Sequence, residues 1–287
     1  MRSLIAFAQT KIRYSGLRFV IVGLLVVPVA QVYPAAGMDT GMGMEAPASY
    51  EKLSREQLLE ILSRSSQAAP ANLYSKDLTG LDLSGVDFKG ANLTASLMNR
   101  ANLSNANLSN CNLTVSFAEG ANLSHADLHG AMMFSMQLKG ADLTRANLTG
   151  ARFIGDLRGA NLQGANMTKM DSSVDTKNQS MGLMRASIVS ANLQGADLSG
   201  ADFSKADFSF STLTGVNLTG ANLFNADLSG ADFSSANLTH ANLREAKVFD
   251  TDFTGANLTG ADFTGAEFRG VKGLDKARTE NTKGLPH

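Results

Sequence analysis

From Ala71 onward this chain of 287 residues reads in fives: Ala91-Asn-Leu-Thr-Ala, Ala101-Asn-Leu-Ser-Asn, Ala106-Asn-Leu-Ser-Asn, Ala196-Asp-Leu-Ser-Gly and Ala256-Asn-Leu-Thr-Gly. Residues 71–155 hold 17 quintets and residues 181–270 hold 18. The third residue is apolar in all 35, the first is Ala in 24, and the second is Asn or Asp in 25. Such self-similarity outranks every other signal in a chain. A period of five fits neither the 3.6-residue helix nor the two-residue strand. Two positions per quintet must therefore face inward, the large third residue and the small first one. Asn, Asp and Gly at the other positions favour tight bends. A chain that bends every five residues and buries every third closes into a coil. Coils then stack, with backbone hydrogen bonds between them at about 4.8 Å spacing.

The quintets resemble the pentapeptide-repeat family, whose signature is A-[DN]-[LF]-[ST]-x, over about 200 of the 287 residues. The resemblance implies an all-β fold, a right-handed quadrilateral β-helix with about 20 residues per coil. Thirty-five quintets then make roughly nine coils, on the order of 40 Å tall.

Composition narrows the function. The formal net charge is −1, so there is no basic footprint for nucleic acid. The single Cys, Cys111, excludes a disulfide framework and a Cys-based zinc site. Aromatic residues make up 7% and Trp is absent, which argues against a core of large rings.

Residues 1–37 carry Arg2, Lys11, Arg13 and Arg18 with no acid. An apolar run from Phe19 to Val32 and the small residues Ala35-Ala36-Gly37 follow. A basic segment, a short apolar core and a small-residue exit describe a signal peptide. Pro28 interrupts the run, which is shorter than the roughly 20 residues a spanning helix needs. The expectation is export to an extracytoplasmic compartment (periplasm, lumen or outside) of a bacterial source, with an uncleaved membrane anchor as the alternative. Without its four basic residues the remainder has 21 Lys+Arg against 26 Asp+Glu.

Residues 38–53 read as a flexible linker. Met38, Met42 and Met44 fall within seven residues, and thioethers bind soft Cu(I). No His accompanies them, so a plain arm is the preferred reading over a copper carrier. Ser54-Arg-Glu-Gln57 is a capping box. Leu58, Leu59, Ile61 and Leu62 at helical spacing then predict a short helix within 54–70, placed to cap the first coil. The first repeat segment is expected over 71–167. The step from Phe153 to Leu157 is four residues, so one residue is missing from a side there. Residues 168–180 lose the pattern and are expected to protrude as a loop. The second repeat segment follows over 181–270, and 271–287 should close the last coil.

No nucleophile–base pair, cofactor motif or metal-ligand set stands outside the repeat. His125, His129, His240 and His287 read as surface residues, and Cys111 as a buried inert thiol. One feature rises above the background. Leu97, Val115, Phe117, Met132, Phe134 and Ile154 put apolar side chains at outward positions of consecutive coils. A contiguous exposed apolar face usually marks a binding surface. The rival is cover by the N-terminal arm or the 168–180 loop. Val189, Phe210, Phe224 and Phe249 are more scattered outward apolar residues.

The reading is a non-enzymatic exported β-helical scaffold or protein-binding module with no cofactor. Its partner would be another protein, or a second copy through the apolar face or the coil ends. Membrane contact would come only through an uncleaved signal or peripherally. The alternative taken from the family resemblance is a DNA mimic that binds a topoisomerase such as gyrase. That role requires cytoplasmic residence and a strongly acidic face.

Overall fold

The computed structural model describes residues 50–173 and 185–286. The signal segment expected over 1–37 and the linker residues before Tyr50 lie outside the described residues.

Each quintet lays its second residue into a parallel bridge with the second residue of the quintet one coil above. Asn72 pairs with Asn92, Asn92 with Asn112, and Asn107 with Asp127. One such column runs through Asn72, Asn92, Asn112, Met132, Arg152, Asp171, Asp202, Asn222, Asn242 and Asp262. Columns starting at Asp77, Asp82 and Asp87 follow it around each coil. The described residues therefore form a four-sided β-solenoid, and the column through Asn72 has eleven levels, the last being Lys283, paired with Asp262. We call the sides 1 to 4 in that order and number the coils from residues 71–90. Ten coils replace the nine expected, because residues 156–170, which fall out of step with the fives on either side, also wind as regular sides. The stack is about 45 Å tall.

The ladder leaves few backbone groups to chance. The second residue's N–H donates to the coil below (Asn92 to the Ala71 carbonyl, 2.9 Å). The third donates to the coil above (Leu93 to the Asn112 carbonyl, 2.8 Å), as does the fifth (Ala95 to the Thr114 carbonyl, 2.9 Å). The next quintet's first N–H closes the corner, as Ala101 does on the Met98 carbonyl at 3.0 Å. The fifth residue turns through left-handed space. Gly occupies it often, yet Arg145, Val115 and His125 hold φ of 55–59° at the same place. Their amides are pinned to the coil above, as Arg145 N–H is to the Gln163 carbonyl at 3.0 Å. That bond offsets the Cβ penalty of the conformation.

The Asx preference has a double cause. The Asn92 Oδ1 accepts the Thr94 N–H at 3.1 Å, closing the turn, while its Nδ2 donates to the Asn72 Oδ1 one coil below at 3.2 Å. Asn102 and Asn147 donate in the same way to Asp82 and Asp127, both at 2.9 Å. A carboxylate under an amide is a charge-assisted bond repeated up the side.

The bore is filled. Leu73, Leu93, Leu113, Met133 and Phe153 stack on side 1, all fully buried, and the Ala residues beside them are buried too. Higher up, the Phe233 and Phe253 rings stack with centroids 5.5 Å apart. Where a polar residue takes the inward first position, its hydroxyl finds a carbonyl. Ser96 donates to Leu93 and Ser116 to Leu113, each at 2.6 Å, and Thr251 to Leu228 at 2.9 Å.

Before the first coil, β1 (Glu51–Lys52) pairs in parallel with β2 (Lys76–Asp77). Helix α1 (Arg55–Ser63) follows, with the Ser54–Gln57 capping box formed in both directions. Its Leu58 and Leu62 are buried in the same apolar cluster as the coil leucines. Its Arg55 Nε donates to the Asp82 carbonyl at 2.8 Å, and Lys89 Nζ donates to the Leu62 carbonyl at 3.1 Å. At the other end, β5 (Lys247–Phe249) pairs with β6 (Glu267–Arg269). A 3-10 turn over Leu274–Lys276 then inserts one extra residue, so that Asn257 pairs with Arg278 and Asp262 with Lys283.

Two irregularities sit together in mid-stack. On side 1 of coils 4 and 5, β3 (Met132–Gln137) and β4 (Arg152–Asp156) run extended through the corner into side 2. Phe134 pairs with Ile154 and Gln137 with Asp156, so Gly155 alone stands opposite Ser135 and Met136. This is the missing residue, and Asp142 accordingly pairs with Asn161 instead of with a residue 20 positions later. One coil above, the expected 168–180 loop has other edges. Met170 and Ser172 point inward, Asp171 pairs with both Arg152 and Asp202, and Ser173 N–H donates to the Asp171 carboxylate at 3.0 Å. The coil resumes at Ala186, with Ser187 paired to Asp156 and Asp207. Residues 168–173 therefore belong to the coil. Among the described residues the second repeat segment is seen from Ala186 onward; its expected start at Met181 and the rest of the expected loop, 174–184, lie outside the described residues.

Candidate apolar face

The apolar face is built where sides 1 and 2 meet. Leu97 and Phe117 are bridge partners on side 2. Val115 occupies the left-handed corner of coil 3, and its N–H donates to the Phe134 carbonyl at 2.7 Å. Met132 and Phe134 lie on β3. Val115 is 45% exposed and Met132 41%, while Leu97, Phe117 and Phe134 are partly exposed. These five line adjacent rungs of one corner.

Ile154 does not join them. It is only 3% exposed, against the outward position its spacing predicts. The deletion at Gly155 takes β4 straight through the corner, where the regular coils below make an outward turn, and Ile154 is buried there. Tyr74 extends the face instead. It occupies the fourth place of the same corner in coil 1, is 56% exposed, and was missed by pattern reading. Its signal was available, since an aromatic ring stands where Thr94 and Thr114 stand above it.

The upper border is charged. The Arg152 guanidinium lies over the Phe134 ring, 5.0 Å from the centroid, and its Nε donates to Asp171 at 3.0 Å. Just beyond, Arg158 pairs with Asp156 at 2.5 Å. Burial pushes the Asp156 carboxyl up, but the hydrogen bonds and charge of Arg158 outweigh it and hold the group below its ordinary range. Asp171 shows the same balance, with burial opposed first by the Ser173 hydroxyl and amide and then by Arg152. The lower border is charged too: Asp77 is the bridge partner of Leu97, and Lys76 pairs with Glu51.

The other residues singled out by pattern do not converge. His125 and His240 occupy corners with φ of 59° and 57°, His129 sits in a turn, and His287 lies outside the described residues. Cys111 fills an inward Ala position on side 1, and burial pushes its thiol up to about 12. Phe210 is 68% exposed at a corner between sides 2 and 3, on a different edge from the face above. Val189, Phe224 and Phe249 are partly exposed, and Arg269 lies over the Phe249 ring at 4.5 Å. Among the described residues, no group of three or more His, Cys, Asp or Glu is arranged to hold a metal. No helix among them is long and apolar enough to cross a membrane. Two open depressions of 280 and 340 Å³ lie on other surfaces, one lined by Gln67, Lys89 and Asn110, the other by His125, Arg145 and Gln194.

Comparison with known families and structures gives a consistent picture. Residues 186–263 match the family described as "Pentapeptide repeat region", and 71–114, 101–135 and 137–171 match "Pentapeptide repeats (8 copies)". Among solved structures the chain is similar to HetL, a pentapeptide repeat protein involved in heterocyst differentiation regulation in the cyanobacterium Nostoc. Identity is 30% over 80% of this chain and 98% of that one, with a TM-score of 0.40. It is similar to Rfr23 from the cyanobacterium Cyanothece at 28% identity, over 43% of this chain and 87% of that one, TM-score 0.38. It is also similar to full-length QnrB1, a plasmid-mediated fluoroquinolone resistance protein, at 19% identity over 72% and 92%, TM-score 0.35. No curated protein matches the chain.

Proposed function

The chain belongs to the pentapeptide-repeat family, and from that premise we propose that it is a non-enzymatic scaffold that binds another protein through its corner between sides 1 and 2. One observation carries this reading. Val115 and Met132, each a little over two-fifths exposed, stand beside the partly exposed Leu97, Phe117 and Phe134, on rungs where the repeat otherwise puts polar turn residues. An apolar strip of this kind, bordered by charge at both ends, excludes water well against a matching protein surface. Among the described residues the bore is plugged with Leu and Phe, which supports a scaffold over an enclosed catalytic site. The DNA-mimic alternative draws nothing from this face, because a phosphate mimic needs carboxylates there. In this reading the coil is right-handed, as the family resemblance implies, and α1 caps its first turn.

The test uses the exposed members, whose replacement leaves the bore intact. The Val115→Asp/Met132→Asp double variant should lose a protein captured by the wild type from native extract. Phe210→Asp, on a different edge, should retain it. Identical capture by all three ends the proposal.

Export belongs to the same proposal and rests on the basic stretch and apolar run within residues 1–37. Amino-terminal sequencing of protein from its source compartment should begin near residue 37. An intact Met1 would favour the anchored form instead.

A further inference from the structure

We infer that coil 6, residues 170–173 and 186–200, is a built-in break that divides the solenoid into two cooperative units, residues 71–169 and 201–286. In a solenoid each coil touches only its neighbours, so coils 5 and 7 are coupled only through coil 6.

Among the described residues, coil 6 alone has a buried polar residue at a third position. On side 1 the third-position column runs Phe153, Ser172, Phe203, so a hydroxyl occupies the place of a large apolar residue. Ser172 is fully buried, and among the described residues its Oγ has no hydrogen-bond partner. This differs in kind from Ser96 and Ser116, whose first position puts the hydroxyl beside a carbonyl. The third position points to the middle of the bore, where no backbone acceptor reaches. Met170, 1% exposed in a place that is usually Ala, restores some of the missing volume but offers no partner for the hydroxyl. Beneath lies the shortened side of coil 5. On the same level, 16 positions separate the successive bridge residues Asp171 and Ser187, where five is the rule.

The ladder itself is continuous there. Ser172 N–H donates to the Asp202 carbonyl at 2.8 Å, and Ser187 N–H to the Gly155 carbonyl at 2.9 Å. The break is therefore one of coupling energy, and local opening should concentrate there. The apolar corner lies wholly in the first unit, so that unit can open or tighten without the second.

Native-state hydrogen exchange on the full chain tests this. The Ser172 amide should be at least about 10-fold less protected than its equivalents Leu113 and Leu223, given an orphaned buried hydroxyl beside it. The Ser187 amide should fall short of Phe117 and Asp227 by a similar factor. Denaturant should expose the two halves at separate midpoints. Ser172→Ala, which removes the unpaired hydroxyl and adds no volume, should raise protection at Ser187 about fivefold or more. Even protection through coils 5 to 7 with one shared midpoint overturns the inference, and so does a Ser172→Ala variant that exchanges like the wild type.

Discussion

Replacing Gly155 by Ala probes the corner where β4 replaces two residues with one. Gly155 is not in the left-handed region, so its backbone suits Ala. Entropy of the unfolded chain alone would make the change stabilising by about 0.4–1 kcal/mol. The surroundings reverse that sign. An added Cβ would overlap the Met136 carbonyl oxygen and lie 3.1 Å from both the Met136 nitrogen and Phe153 Cε2. The first two atoms are backbone of the neighbouring coil, held in the β3–β4 pairing, and cannot swing aside. Overpacking of this kind costs about 1–3 kcal/mol, and rigid backbone puts this case at the upper end. Gly150→Ala is the matched control. There φ is 63° and nothing lies within 4 Å, so the cost is conformational alone, about 1 kcal/mol. In a cooperative unit of roughly 100 residues, 1 kcal/mol shifts Tm by about 4–8 °C. Circular dichroism melts should therefore place Gly155→Ala on the order of 10 °C below the wild type and Gly150→Ala about 5 °C below. Adding Met136→Ala should not rescue the first variant, because the obstruction is not the Met136 side chain. A Gly155→Ala protein as stable as the Gly150→Ala control, or rescue by Met136→Ala, would refute the reasoning.

Three further outcomes follow from the same structure. Asp156, Asp171 and Asp232 are held below their ordinary range, with burial overcome by Arg158, Ser173 and Ser234 contacts respectively. A depressed folded value means that their contribution is complete above the unfolded value of about 3.9 and lost as pH falls through the folded one. Thermal midpoints should thus be flat near neutrality and drop below about pH 4, and a rise on acidification would contradict this. Leu123→Ala empties a fully buried third position in a ladder-bound bore that collapses poorly, so urea unfolding should show a loss of about 3–5 kcal/mol; a loss below about 1 kcal/mol would mean that the bore is not close-packed. Cys111, buried and with its thiol raised to about 12, should react with a thiol reagent at pH 8 roughly 100-fold more slowly in native than in urea-unfolded protein, and rapid native labelling would place it at the surface.

How much of this was legible in the chain varies with position. Leu93 and Leu103 announce themselves as inward because the same letter returns every five residues. The Asn at their side announces a bend, though not that its amide also reaches the coil below. The first side of coil 6, residues 170–173, was illegible for a specific reason. Met170 and Ser172 exchange sizes, large in the small place and small in the large one, so the quintet is present while its hydrophobic rhythm is inverted. Ile154 was misplaced because counting locates a residue along the strand but not the inward shortcut forced by one missing neighbour. Tyr74 was passed over because next to the helix the Ala rule already fails, at Lys76 and Leu81.

Val115, His125, Arg145 and Phe210 share one backbone geometry while differing in charge, size and polarity. Path and lettering are thus written independently at these corners. Evolution can repaint the outside of such a column rung by rung without disturbing its masonry. Two columns of identical build can therefore serve unrelated customers, and what each one meets must be read from its corners.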